Sequence, residues 1–472
     1  MGSTLDHTLS VVKRLHLLDR PKDFSDITEV NAAPVFTEPA RKGAANLGTP
    51  STPSFSQYGL IAGISHAGSP RADDMLYYNV ATPSSTFICG SQGSGKSHTL
   101  SCLLENCLFH SDANELRKPL TGIVFHYDTF ISDSGGSPCE AAFLSTHPGT
   151  SVRVLCAPTN VAVIRKVYSS LPNVQIEELR INETDLNTKR MMDLMAVKEG
   201  GAKPLYLHVI DRMLRDLRLE QQKTGSSFQY AAFKEMIDSE LLAPGQRGPL
   251  SQRLDTLESF MVEEQAWPGQ TSTYSSKAPP TKTAGIDWKP KPGQLTIVDL
   301  SCPCVTAETA CSLFDICLAL FLEQDHSIGR VVALDEAHKY MNESAEAGAL
   351  TEQLLTTIRV QRHAGARIII STQEPTISPK LLDLCSVTIV HRFTSPDWLL
   401  SLQRHLAGMS IVRRLREKTA EADDEMGQLA DGVQTLSIEE SDPAADMFSH
   451  IVGLKVGEAL LFAPSAAGIG IV

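Results

Sequence analysis

The stretch Gly90-Ser91-Gln92-Gly93-Ser94-Gly95-Lys96-Ser97 constrains this chain more than any other. It reads G-x-x-x-x-G-K-S, a phosphate-binding loop. Glycines at 90, 93 and 95 permit a tight turn that points successive backbone N–H groups at phosphate oxygens. A helix following the loop aims its positive end at the same anion. Lys96 brings a point charge to the β and γ phosphates, and Ser97 a hydroxyl for Mg²⁺. The flanks supply the context the motif needs. Thr86-Phe87-Ile88-Cys89 suits a short strand, and His98-Thr99-Leu100-Ser101-Cys102-Leu103-Leu104-Glu105 suits a helix. A plain glycine-rich turn is the alternative, and those flanks weigh against it. The expected nucleotide contacts run from Gly90 to His98.

Short, continuous, β-branched runs recur after the loop, at residues 122–128, 152–156, 295–299, 330–335, 367–371, 387–390 and 459–462. Runs without alternation indicate strands buried on both faces. Helical stretches between them predict an α/β fold, a doubly wound and mainly parallel sheet of RecA-like P-loop type. Residues 58–64 and 75–80 are expected as short strands leading into the loop. From 160 to 261 strand signals are sparse. Tyr206, Val209, Ile210, Met213, Leu214 and Leu217 fall at helical spacing, predicting a helical insertion whose stripe is core rather than chemistry. The expected organisation is a flexible N-terminal segment (1–57), the first part of the nucleotide domain (58–159), the helical insertion (160–265), a mobile Pro/Ser/Thr/Lys-rich loop (266–293), and the second part of the domain (294–472) with an acidic tract at 417–446. A short helix around 9–18 is compatible with the first segment, whose Pro/Ala/Thr/Ser/Gly-rich stretch at 32–57 reads as linker.

The 472 residues carry a net charge of −13. A surface of that sign repels nucleic acid and excludes a broad basic face, although a basic lining inside a ring is compatible with it. The ten cysteines show no paired C-x-x-C spacing, so reduced intracellular thiols are expected rather than a zinc site or disulfides. The N-terminus has no secretory pattern, and no uncharged apolar run reaches the length of a membrane span. The expected location is cytoplasmic or nuclear, not secreted, with no membrane partner.

The second half of the site is Val331-Val332-Ala333-Leu334-Asp335-Glu336, an apolar strand ending in two acids. In Walker B fashion Asp335 would hold Mg²⁺ and Glu336 would act as general base on the attacking water. Neighbouring residues at a strand end point in different directions, which lets one acid serve the metal and the other the water. A further buried run ends in Ser371-Thr372-Gln373, whose amide suits a sensor of the γ-phosphate or the water. Arg362 and Arg359, on a helix before Gly365, are either solvated surface cations or fingers for a neighbouring subunit's site, with Arg362 the stronger of the two.

The ordered motifs GSQGSGKSHT, GQLTIVDLS, RVVALDEAHKYM, TTIRVQRHAGARIIISTQEP, SVTIVHRF and LKVGEALLF resemble the HerA/FtsK superfamily of ring-forming ATPases, most closely its HerA branch with the additional-strand catalytic glutamate. The resemblance spans about residues 86–464. It implies ATP and Mg²⁺ as cofactors, and the roles above for Lys96, Ser97, Asp335, Glu336 and Gln373. It also implies catalysis across a homo-oligomeric ring, a hexamer in this superfamily, acting on DNA as a translocase or helicase. A full amino-terminal barrel and a basic, aromatic-rich DNA loop are not evident in the sequence. Two other readings remain: a nucleotide-dependent switch or scaffold, and a DEAH-box RNA helicase suggested by Asp335-Glu336-Ala337-His338. The spacing disfavours the helicase, because only a short helix separates that motif from Gln361-Arg362-His363.

Overall fold

The computed structural model describes residues 30–47, 54–65, 71–132, 135–194, 205–266, 285–405 and 443–467. The helix expected at 9–18 and most of the segments at 266–293 and 417–446 lie outside them. The strands are β1 (Val35–Thr37), β2 (Tyr58–Gly63), β3 (Met75–Asn79), β4 (Ser85–Cys89), β5 (Asn114–Glu115), β6 (Thr121–His126), β7 (Ser151–Cys156), β8 (Val174–Glu178), β9 (Gln294–Asp299), β10 (Arg330–Leu334), β11 (Ala366–Thr372), β12 (Val387–His391) and β13 (Ala459–Phe462).

Nine of them form one sheet in the order β13-β12-β4-β11-β10-β6-β9-β7-β8. Every neighbouring pair is parallel except β12 with β13. Alternation explains the burial. Val332, Leu334, Ile368 and Ile370 enter one core, together with Phe87, Phe125 and the helices Ala307–Leu322 and Ala345–Ala364. Val331, Ala333 and Ile369 enter the other, against Leu100, Leu103 and Leu104 of the helix Lys96–Leu108. Each such side chain contributes roughly 1.5–3 kcal/mol by leaving water, so both faces favour the uninterrupted apolar runs. The doubly wound α/β expectation describes the molecule.

The insertion carries the helices Leu205–Thr224, Tyr230–Ser239 and Pro244–Phe260. Tyr206, Ile210, Met213, Leu214 and Leu217 are buried in the first core, with Val209 packed at its margin. Two sequence expectations need correction. Residues 174–178 are not part of a purely helical insertion; they form β8, an edge strand paired to β7. Val174-Gln-Ile-Glu-Glu has only one side to cover, so it lacks the continuous apolar run of the inner strands. Residues 35–47 are not linker. Val35 and Phe36 are fully buried in β1, which pairs with β3, and Glu38–Leu47 is a helix. Phe36 stacks on Phe55 with ring centroids 3.7 Å apart, so a few aromatics order a stretch whose average composition is poor in them. The result is a four-stranded antiparallel sheet, β1-β3-β2-β5, set against the Lys96–Leu108 helix through Asn106, whose amide donates to the Leu60 carbonyl at 2.9 Å. No helix among the described residues is long and apolar enough to cross a membrane.

Candidate nucleotide site

Parallel register decides which side chains meet. Cys89 is level with Thr372, and His126 is level with Asp299; the Asp335 amide donates to the Phe125 carbonyl at 3.0 Å. The loop after β4, the acids after β10 and the glutamine after β11 therefore emerge along one edge. The loop itself has left-handed backbone at Gly93 (φ 71°) and Gly95 (φ 111°), and a φ of 150° at Gly90. A Cβ on Gly90 would lie 2.6 Å from the His391 Cβ, and one on Gly95 would press on Gly457. Glycine is thus required by close approach as well as by dihedral angle. Ser94 and Lys96 are buried; Ser91, Gly95 and Ser97 are half-buried; Gln92, Gly93 and His98 are exposed. The Lys96 ammonium donates to the Ser91 carbonyl at 3.1 Å, folding the side chain back over its own loop. Burial pulls its pKa below the usual lysine range, opposed by the charges of Glu336 and then Asp335. One ammonium thus stands in the field of both acids.

Glu336 follows β10 in left-handed backbone (φ 49°), which is uncommon for a residue with a side chain. Its carboxylate accepts from Gln373 Nε2 at 3.1 Å and lies 3.5 Å from His338 Nε2. The Gln373 amide N–H donates to His338 Nδ1 at 3.3 Å, closing a small network of acid, amide and imidazole. Burial lowers the His338 pKa, with Glu336 pulling the other way. Asp335 is buried, and its Oδ2 lies 3.1 Å from His126 Nδ1 and 3.5 Å from the Cys139 thiol. Burial works to raise the Asp335 pKa, but the hydrogen bond and charge of His126 outweigh it and hold the carboxylate ionised. No partner meets Asp335 Oδ1 among the described residues. A buried carboxylate oxygen without a donor, at the sheet edge from which the phosphate loop also emerges, fits a hard cation or its water shell.

No protein-family model matches the chain, and neither does any curated protein. Solved structures do. VirB4 of Thermoanaerobacter pseudethanolicus is 12% identical, matches over 86% of this chain and 94% of that one, and has a TM-score of 0.51. The plasmid coupling protein TrwB in complex with ADP and Mg²⁺ is 12% identical over 74% of this chain and 77% of that one, with a TM-score of 0.40. The genome packaging NTPase B204 of Sulfolobus turreted icosahedral virus 2, in complex with AMP, is 14% identical over 36% of this chain and 63% of that one, with a TM-score of 0.23. The VirB4 match, over nearly the whole of that chain, carries the comparison. This chain shares the fold of that VirB4 structure, a RecA-like P-loop NTPase fold.

In that fold Asp128, which ends the run 122–128, lies apart from the two sequence-selected arginines. Asp128 pairs with Lys339 at 3.3 Å and shapes the turn after Glu336. Arg359 and Arg362 are exposed near the C-terminal end of the helix Ala345–Ala364. The chain passes directly from that helix into the start of β11, so both arginines stand at the opposite edge of the sheet from their own phosphate loop. Within one chain the structure does not bring them to the site.

Sequence reasoning missed His338, Cys139 and His391. His391 ends β12 and touches the loop region from behind: Nε2 is 3.0 Å from the Thr99 hydroxyl, and Nδ1 is 3.1 Å from the Glu458 carbonyl, to which it donates. Burial, aided by the Lys96 charge, lowers its pKa to about 4. The Gly457 amide donates to the Ser94 carbonyl at 3.2 Å, so the turn before β13 braces the loop.

Proposed function

We propose that this chain is a Mg²⁺-dependent ATP hydrolase whose active unit is a ring, a hexamer by the resemblance of its motifs, that acts on DNA. The observation that carries the hydrolase reading is the meeting of Lys96 with Asp335 and Glu336 at one sheet edge, with Gln373 hydrogen-bonded to Glu336 at 3.1 Å. Backbone amides from Gly90 to Ser97 and the Lys96–Leu108 helix terminus would bind the phosphates. Lys96 would move from the Ser91 carbonyl onto the β and γ phosphates. Ser97 and Asp335 would hold Mg²⁺, which when bound neutralises charge developing on the phosphoryl oxygens. Glu336 would take the proton of the attacking water, and Gln373, bonded to that carboxylate, would orient it and sense loss of the γ-phosphate.

The position of Arg362 and Arg359 supports the ring: cations at the far edge of a sheet serve a site only if that site belongs to a neighbour. With a net charge of −13, contact with DNA would be confined to a ring lining. The test is turnover with and without single- and double-stranded DNA, alongside light scattering with ATP and Mg²⁺. Stimulation by DNA and a ring-sized particle are expected. A monomer with slow, DNA-indifferent turnover would favour the nucleotide-dependent switch instead.

A further inference from the structure

His126, Cys139 and Asp335 form a grouping of which the proposed phosphoryl transfer uses only Asp335. His126 closes β6, Asp335 follows β10, and Cys139 stands in the turn before the short helical segment Glu140–Thr146. One ligand atom from each lies within 4.8 Å of the others, and all three residues are buried. Among the described residues no other set of three His, Cys, Asp or Glu side chains converges in this way. The spacing has chemical content. Tetrahedral zinc, with Zn–N and Zn–O near 2.0–2.2 Å and Zn–S near 2.3 Å, holds neighbouring ligand atoms about 3.3–3.6 Å apart. Here Asp335 Oδ2 lies 3.1 Å from the imidazole nitrogen and 3.5 Å from the sulfur.

Charge and donor type agree with the spacing. A thiolate, a carboxylate and a neutral imidazole together carry two negative charges, which a divalent ion cancels, so the filled pocket buries no net charge. The set is one nitrogen, one sulfur and one oxygen, which suits a borderline-soft transition metal and not Mg²⁺. The other nitrogen and oxygen of the same two side chains, His126 Nε2 and Asp335 Oδ1, are buried and meet no partner among the described residues. The pocket is polar without being fully satisfied from within the protein. Tyr168 holds its wall, donating to Asp299 at 2.6 Å and accepting from the Cys139 amide at 3.0 Å, so Cys139 is fixed in place without metal.

We infer that His126, Cys139 and the Asp335 carboxylate form a binding site for a divalent transition-metal ion of the zinc class, with a fourth coordination position left to water. The ion displaces two protons to solvent, one from the Cys139 thiol and one from the His126 imidazolium nitrogen that now faces Asp335, and coordinates that sulfur, that nitrogen and the Asp335 Oδ2. Asp335 is shared with the proposed Mg²⁺ site, so zinc in this pocket neutralises the carboxylate and makes the chain an ATPase inhibited by zinc. The binding itself does not depend on the hydrolase reading.

The test uses Co²⁺ as the spectroscopic probe on the full chain without nucleotide. A cobalt–thiolate charge-transfer band at one equivalent is expected, reversed by Zn²⁺. It should vanish in Cys139→Ser and persist in Cys304→Ser, an exposed cysteine elsewhere. His126→Gln should weaken cobalt binding by at least about 10-fold. X-ray absorption of the zinc-loaded parent, which requires no variant to fold, should show one sulfur in a shell of lighter atoms. Absence of the band in the parent, a band unchanged in Cys139→Ser, or a zinc shell without sulfur overturns the site. Binding with these signatures but no zinc effect on turnover would keep the site and overturn the link to Asp335's catalytic role.

Discussion

The two edges of the central sheet use buried charge in opposite ways. At the amino edge Arg330 and Arg367 are buried, and each closes its own neighbourhood. Arg330 donates to the carbonyls of Gln324 and Asp325, and Arg367 to those of Gly365, Val80 and Ala81, the last three at 2.7, 2.6 and 3.0 Å. Those cations bind main chain, and only the Nε of each is without a partner among the described residues. At the carboxyl edge Lys96, Asp335, Glu336 and Gln373 come from segments far apart in sequence and face one another, and Asp335 Oδ1 has no partner among the described residues. A buried charge answered by fixed carbonyls is architecture. A group of opposite charges brought from separate segments to face one another is a site for something that arrives.

Four substitutions sharpen the contrast. Lys96→Ala should have the largest effect, with nucleotide binding and turnover both falling below detection while the thermal melt stays close to the parent's. A melt that collapses instead would make Lys96 architecture too. Arg362→Ala should reduce turnover by about 10³-fold with little change in nucleotide affinity, the loss expected of a finger supplied by a neighbour. Full activity in that variant would return Arg362 to the solvated surface. Arg367→Met should lower stability by about 3–5 kcal/mol, because three carbonyls lose a charged donor. Urea unfolding measures it, and a loss under 1 kcal/mol would show that the amino edge is not held by that guanidinium.

The smallest effect is conditional on pH. The folded-state pKa of His391 is about 4, below an unfolded value of about 6.5, so the unfolded chain takes up the proton first. Its neutral form therefore contributes stability that is complete above pH 6.5 and is lost as pH falls toward 4, by about 3 kcal/mol at the lower end. His391→Gln should be close to the parent at pH 8 and show a shallower fall in stability between pH 6.5 and 4. Equal slopes would contradict the neutral, buried imidazole.

Most of the sheet was legible because its strands are covered on both faces: runs such as Val331-Val332-Ala333-Leu334 leave little else to form. β8 was not legible, since an edge strand with Gln175 exposed and Glu177 and Glu178 half-buried carries no such run. Nor was β1, where two or three aromatics outweigh a composition typical of linkers. The phosphate loop and the two acids could be read because each motif is contiguous. Cys139, His338 and His391 could not be read this way. Their importance comes from parallel register, which levels the ends of β4, β6, β10, β11 and β12, and no local spacing in the sequence records which strands will lie side by side.

The account's central claim is that one nucleotide is gripped by the Lys96 loop and attacked by a water under Glu336. The most direct measurement is paired binding and turnover of Mg-ATP by Glu336→Gln, which keeps the shape and hydrogen-bonding capacity of the side chain and removes its basicity. Nucleotide affinity close to the parent's, with hydrolysis slower by about 10²–10⁴-fold, is the predicted result. Hydrolysis at the parent rate with unchanged affinity would contradict it.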